Sequence, residues 1–402
     1  MKKILPIIIF LFLQIPANGF AWFDTDYNYC RVLTMDSSKI ATTTTSGFAL
    51  VATSTISSLA ATSSSGKIEI VTNDLPIDVV VTDGTDCNSD GGSLLDFYFE
   101  SYASTTGEFV LHLEAMDVSS TTDKTVLLYY GNSSATDQSD ENGVYGVLNE
   151  VGVWNLSQDP SGTAPQMNDS TSNNYHGTTS GSMTSGDLVD GYLDGALDFD
   201  GTDDDVTIGA INSIGTTGLS FSFWTKPQSS PSNYDSFLGK TNSTSWAGGW
   251  NIYYVNNTIR WIMEGADRAT ATFADSDRDW HHIMGTWDKN TVTLFLDGVL
   301  VGSGSFSGSV SDNGILYIGH TLGGAADRNF PAIIDDVRVY DGFLTSADVT
   351  TIYNNTSDSA GFWTIGGEEI ISTNPTISGT LYTDKGVTTA SSGKTIKIAI
   401  GT

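Results

Sequence analysis

Residues 280–298, WHHIMGTWDKNTVTLFLDG, decide the fold of this chain. Trp280 and two histidines lead into an apolar run, and Trp287-Asp288 opens a polar turn. Val292, Leu294 and Leu296 then alternate strictly before Asp297-Gly298, a hairpin turn dipeptide. Period-two alternation between turn signals predicts two antiparallel strands closed by a second tight turn.

The same period recurs outward from this hairpin, at residues 67–70, 95–99, 109–113, 219–223 and 395–400. Gly, Asn, Asp and Ser punctuate these runs at short intervals, which predicts an all-β chain of sandwich type. The helical exception is residues 346–353, with Ser346 placed to cap and Asp348 in the first turn. The 402 residues suffice for two or three domains. At the N-terminus Lys2 and Lys3 precede an apolar run at 4–13, with Gly19 and Ala21 before a cleavage point at Trp22. That run is short for a bilayer span. The expected division is a signal peptide at 1–21, a first β-domain at 22–146, a second at 147–368, and the start of an incomplete third β-domain at 369–402. A secreted or cell-surface protein with no membrane span after signal removal follows from this reading.

Acidic residues outnumber basic ones 47 to 17, a formal charge of −30. Phosphate backbones need a basic face, so nucleic acid is excluded as a partner. The acids serve solubility, or some of them bind Ca²⁺ through clustered oxygens. Cys30 and Cys87 are the two cysteines. In an oxidising compartment a bridge between them closes a loop of about 57 residues, worth about 4 kcal/mol in the chain-entropy model.

Two resemblances organise the rest. Trp22, Tyr29, Arg31, the strand at 95–100 and the ending LLYYGN at 127–132 resemble the DUF2341 family of exported β-domains. Residues 108–111, EFVL, stand where that family usually carries a Trp, and the resemblance implies no activity. From about 150 to 367 the chain resembles laminin-G-like, concanavalin-A-like jelly rolls. Four motifs carry this in order: DSTSNNYHG at 169–177, ALDFDG at 196–201 followed by Asp204-Asp205-Val206, the hairpin above, and IDDVRVY at 334–340 with LTSADV at 344–349. The closing segment is also similar to pentraxins, but Gly319-His320-Thr321-Leu322 replaces the pentraxin ligand acids.

The laminin-G resemblance implies a structural Ca²⁺ held by Asp169 and one of Asp335 or Asp336, with carbonyls near Asn173. The competing reading has Asp169 making an Asx-turn and Asp335-Asp336 bonding nearby backbone. His281 and His282 are adjacent in a strand, face opposite sides and cannot readily share one metal, so they read as structural. Trp250 and Trp261 read as core, and Trp246, in a Gly-rich loop, as an exposed ring able to stack on a sugar. No Glu-x-Asp-x-x-Glu run, nucleophile elbow, His-Glu-x-x-His or phosphate loop is present. The expectation is an exported, non-catalytic recognition or adhesion protein that binds a glycan or extracellular protein. The alternatives are an accessory region of a larger secreted carbohydrate-active enzyme and a structural surface-layer component.

Overall fold

The computed structural model describes residues 26–371, except 43, 212–213, 243–245, 247, 275, 312–313 and 322–327. The expected signal peptide and the strand expected at 395–400 lie outside the described residues. The chain is nearly all-β, as its period-two pattern predicts.

The first sandwich comprises β1 (Tyr29–Met35), β2 (Thr44–Thr55), the ribbon β3 (Val71–Thr72) and β4 (Leu75–Pro76), β5 (Val79–Thr82), β6 (Phe97–Ala103), β7 (Glu108–Val118) and β8 (Lys124–Tyr130). One sheet contains β1-β8-β5 and the other β2-β7-β6. Alternation fills the space between them: Phe109, Leu111 and Leu113 of β7 meet Val126, Leu128 and Tyr130 of β8. Leu127 and Tyr129, on the other face of β8, pack around Cys30 and Cys87. These cysteines form the expected disulfide, with Cα atoms 5.9 Å apart. Residues 67–70 form no strand of their own; Ile68 makes a single bridge to Ala61.

After a short helix, α1 (Glu141–Val144), the second sandwich begins at β9 (Glu150–Trp154). It continues through β10 (Thr178–Ser180), β11 (Leu188–Asp190), β12 (Gly195–Phe199), β13 (Asp205–Ala210), β14 (Leu219–Pro227) and β15 (Ser236–Thr241). Next come β16 (Gly249–Val255), β17 (Thr258–Met263), β18 (Ala266–Thr272), β19 (His281–Trp287) and β20 (Thr291–Leu296). The last three are β21 (Val299–Ser305), β22 (Ile315–Ile318) and β23 (Ala332–Tyr340). A seven-stranded sheet, β10-β13-β22-β15-β16-β17-β18, faces an eight-stranded one, β11-β12-β23-β14-β19-β20-β21 with β9 on β23. Trp154, Phe221, Trp250, Trp261 and Trp287 fill the core between them. The predicted hairpin is β19–β20, with Met284 opposite Phe295. Asp297 and Gly298 carry φ of 50° and 72°, the left-handed pair a two-residue turn needs. A Cβ on Gly298 would meet the Tyr353 ring at 2.7 Å.

The chain then turns back on itself. α2 (Ser346–Ser357) and α3 (Ser359–Phe362) lead into β24 (Trp363–Ile365) and β25 (Glu369–Ile370). The helix outruns the predicted 346–353, and its cap is Thr345, not Ser346, in a capping box with Asp348. Val349 and Ile352 pack with Phe48 and Leu50 of the first sandwich. β24 pairs with β1, Leu33 opposite Ile365, and β25 pairs with it also, Tyr29 opposite Ile370. The division expected at 368/369 therefore does not coincide with a break. Residues 363–371 complete the first sheet, so the second sandwich is inserted between β8 and β24 of the first. Sequence reading placed these residues elsewhere because a strand's partner, 330 positions away, leaves no local signal.

Asn355 locks this return. Its Oδ1 accepts from Val51 N and its Nδ2 donates to Val51 O, both at 2.8 Å, while Trp363 Nε1 donates to the same carbonyl at 2.9 Å. Asn355→Ala leaves the buried Val51 N–H unpaired. It is expected to cost about 2–4 kcal/mol, seen as a lower urea midpoint by tryptophan fluorescence.

Candidate functional site

Each of the acids that the sequence grouped holds partners of its own in the structure. Asp169 is buried, and its carboxylate accepts four hydrogen bonds: Val153 N and Thr171 N on Oδ1 at 3.0 Å, Thr171 Oγ1 and Tyr175 N on Oδ2 at 2.9 and 2.8 Å. A carboxylate has about four acceptor positions, so none remains for a cation. Asp335 Oδ2 accepts from Tyr192 N and Leu193 N at 2.7 and 3.0 Å. Asp336 Oδ1 accepts from Arg338 Nε at 2.8 Å, with both side chains buried. A guanidinium beside Asp336 opposes a second cation, so this trio does not fit Ca²⁺; the Asx-turn reading describes Asp169 and the backbone-bonding reading Asp335, while Asp336 bonds a side chain. Among the described residues, the acids whose oxygens converge within 4.8 Å are Asp200, Asp203 and Asp204, on the turn after β12. Burial, with the charges of Asp200, Asp187 and Asp203, pushes Asp204 up to about 6 against a hydrogen bond from Asp200 N.

The two histidines do face opposite environments. His281 Nδ1 sits 2.8 Å from Asp297 Oδ2 and Nε2 pairs with Asp277 Oδ2 at 3.1 Å. The hydrogen bond to Asp297, opposed by desolvation and helped by Asp277, raises His281 to about 9. His282 lies beneath Trp224 and Tyr353, and burial lowers it to about 3.

A surface of mixed character lies on the outer face of the seven-stranded sheet. Trp246 is 7 % exposed, a correction to the exposed ring expected from its Gly-rich loop. It packs with Tyr253, Val255 and Ile262 because these side chains of β16 and β17 point away from the core that holds Trp250 and Trp261. Tyr234, 45 % exposed, stacks on Tyr253 with ring centroids 6.0 Å apart, and Arg328 lies over the rings of Tyr234 and Trp246 at 4.9 and 5.2 Å. Tyr253 OH donates to Asp267 Oδ1, and Arg260 Nη1 donates to Asp267 Oδ2, each at 2.7 Å. Burial pushes the neighbouring Asp235 up to about 6, despite a hydrogen bond from Ser232 N and the positive Arg328. Tyr234 and Trp246 hold φ of 81° and 56°, the left-handed region that aromatic residues rarely occupy and that gathers at functional surfaces.

His112 of β7 is buried where the first sandwich meets the segment that leads into the second. Its Nε2 is 2.8 Å from Glu100 Oε2 and its Nδ1 2.7 Å from Tyr145 OH, and it stacks on Tyr98 at 4.5 Å. Burial lowers His112 to about 3, with the positive Arg338 adding to the effect. Burial raises Glu100 well above the usual carboxylate range, with Asp194 and Asp336 adding to it. Both shifts favour the uncharged form of each partner. Arg338 alternates with the core residues Val337 and Val339, yet it is 3 % exposed because its face meets the first sandwich at Phe48, Ala49 and Leu50.

This geometry agrees with the family comparison. Residues 200–350 match the concanavalin A-like lectin/glucanases superfamily. A comparison with curated proteins returns no match. Among solved structures, the chain is similar to the binding domain of Paraclostridial Mosquitocidal Protein 1, at 16 % identity and TM-score 0.40, covering 51 % of this chain and 52 % of that one. It is also similar to domain 4 of AbnA, an extracellular arabinanase from Geobacillus stearothermophilus in complex with arabinotriose, at 19 % identity and TM-score 0.38, covering 51 % of this chain and 98 % of that one. The match spans about half the length of the toxin binding domain.

Two outcomes follow. Asp169→Ala leaves buried N–H groups unpaired and is expected to cost about 2–4 kcal/mol by urea denaturation, equally with calcium and with EDTA. For His281, whose folded pKa is raised, the stabilising charge is fully present below about 6.5 and lost as pH rises through about 9. The stability gap between the parent and His281→Gln should be constant below pH 6.5 and shrink toward pH 9, as read from urea midpoints across pH.

Proposed function

We propose that this chain is an exported, non-catalytic glycan-recognition protein whose contact surface is the outer face of the seven-stranded sheet. The observation that carries this reading is the ladder from buried Tyr253 to the solvent-reaching Asp267 and Arg260, beside the Tyr234–Trp246–Arg328 stack. Saccharides present alternating hydroxyls and apolar C–H faces. Planar hydrogen-bonding groups orient the hydroxyls, and an aromatic ring covers the C–H face. Arg260 and Asp267 side chains are each 31 % exposed, so their free donor and acceptor positions reach solvent while their mutual pair fixes their aim. The match to a lectin-containing superfamily over residues 200–350 supports the same reading. In this view the first sandwich, DUF2341-like in its motifs, presents the second, and the disulfide suits an oxidising, extracellular location. No helix among the described residues is long and apolar enough to cross a membrane.

A glycan array probed with the purified chain tests this. Arg260→Ala and Tyr234→Ala should each weaken the best-bound glycan about tenfold or more, roughly 1.4 kcal/mol, without shifting the unfolding midpoint. Undiminished binding by both variants, or no binding by the parent to any glycan, removes this surface from consideration.

A further inference from the structure

Between the two sandwiches runs a cleft of about 820 Å³, within the range of small-ligand sites. Its walls come from different parts of the chain: β2, β6 and β7 on one side, the loop at 192–194 and the α2–α3 junction on the other. Nine of its seventeen lining residues carry a hydroxyl, three are carboxylates (Glu108, Asp194 and Asp358), and none is Lys, Arg or His. Lys39 reaches Asp358 from outside, at 3.4 Å between exposed groups.

The walls are held before any ligand arrives. Tyr192 lies flat on Trp224, centroids 3.5 Å apart and planes within 6°, and donates its hydroxyl to Ser357 O at 3.0 Å. The buried Asp335 fixes the backbone N–H groups of Tyr192 and Leu193. Across the cleft Tyr102 OH donates to Leu59 O at 2.7 Å, and Thr53 Oγ1 meets Ser359 Oγ at 2.5 Å, joining the two walls. Little ordering remains to oppose binding.

We infer that this cleft is a second binding site, built jointly by the two sandwiches, for an uncharged oligosaccharide. Its hydroxyls and carboxylates match the donors and acceptors of sugar hydroxyls, and Tyr102 and Tyr192 line opposite walls. Three lining carboxylates with no lining cation repel sulfated, sialylated or uronate sugars at close range. The site differs from the outer sheet face, which carries Arg260 and Arg328, so the two fail independently.

Isothermal titration with cellotetraose, xylotetraose, mannotetraose, maltotetraose and tetragalacturonate, using the full chain, tests the inference. A neutral tetrasaccharide should bind, tetragalacturonate should not, and EDTA should change nothing. Ser101→Trp, at a half-buried lining position on β6, should weaken binding at least tenfold. Thr55→Trp at an exposed position of the same wall serves the same purpose if the first variant fails to fold. Arg260→Ala should leave this binding intact. Retained binding in both tryptophan variants, loss in Arg260→Ala alone, preference for tetragalacturonate, loss in EDTA, or binding of none of the five each overturns the inference.

Discussion

One strand is buried on both of its faces, and both sandwiches are organised around it. β23 pairs with β12, β14 and β9, so its backbone is fully engaged within the eight-stranded sheet. Ile334, Val337 and Val339 enter the core of the second sandwich. This requires a register shift: opposite Ser222–Trp224 the strand carries an extra residue, and Asp336 takes φ of 47° to absorb it. Without that bulge, strict alternation would turn Val337 and Val339 away from the side Ile334 occupies. With it, Asp335, Asp336, Arg338 and Tyr340 all meet neighbours outside that core.

Those outward residues determine how the sandwiches sit together. Asp335 holds the loop that carries Tyr192, Arg338 pairs with Asp336 and lies over Tyr145 at 5.6 Å, and Tyr340 enters the core shared with the first sandwich. A buried ion pair adds little net stability once desolvation is counted. Its hydrogen bond joins two residues of the same strand and fixes the face that β23 turns toward the first sandwich. The cleft is what remains between two bodies fixed in this way.

The hairpin and the Asp-Gly turn were legible because each depends on neighbours within about twenty residues. The disulfide was legible as the pairing of the two cysteines. Trp246 was misread because a flanking Gly-rich loop resembles an exposed tip, whereas burial comes from Tyr253 and Ile262 on adjacent strands. Arg338 and His112 were opaque for a related reason. A polar residue on the outward phase of a strand looks solvated until a second domain covers that face. The calcium expectation rested on two motifs that do lie near one another in the fold, but backbone N–H groups already fill the Asp169 carboxylate.

The insertion of one sandwich within the other has a temporal side. β1 needs β24 and β25 for its outer edge, and these emerge from the ribosome some 330 residues later. Domains usually fold in order of synthesis. Here the first sandwich stays open at one edge throughout synthesis of the second, with an unpaired strand that could recruit another chain. The inserted sandwich, whose last strand ends at Tyr340 before the closing strands emerge, is positioned to fold first and to carry them to their place. The N-terminal sandwich of this molecule is thus the last to be finished.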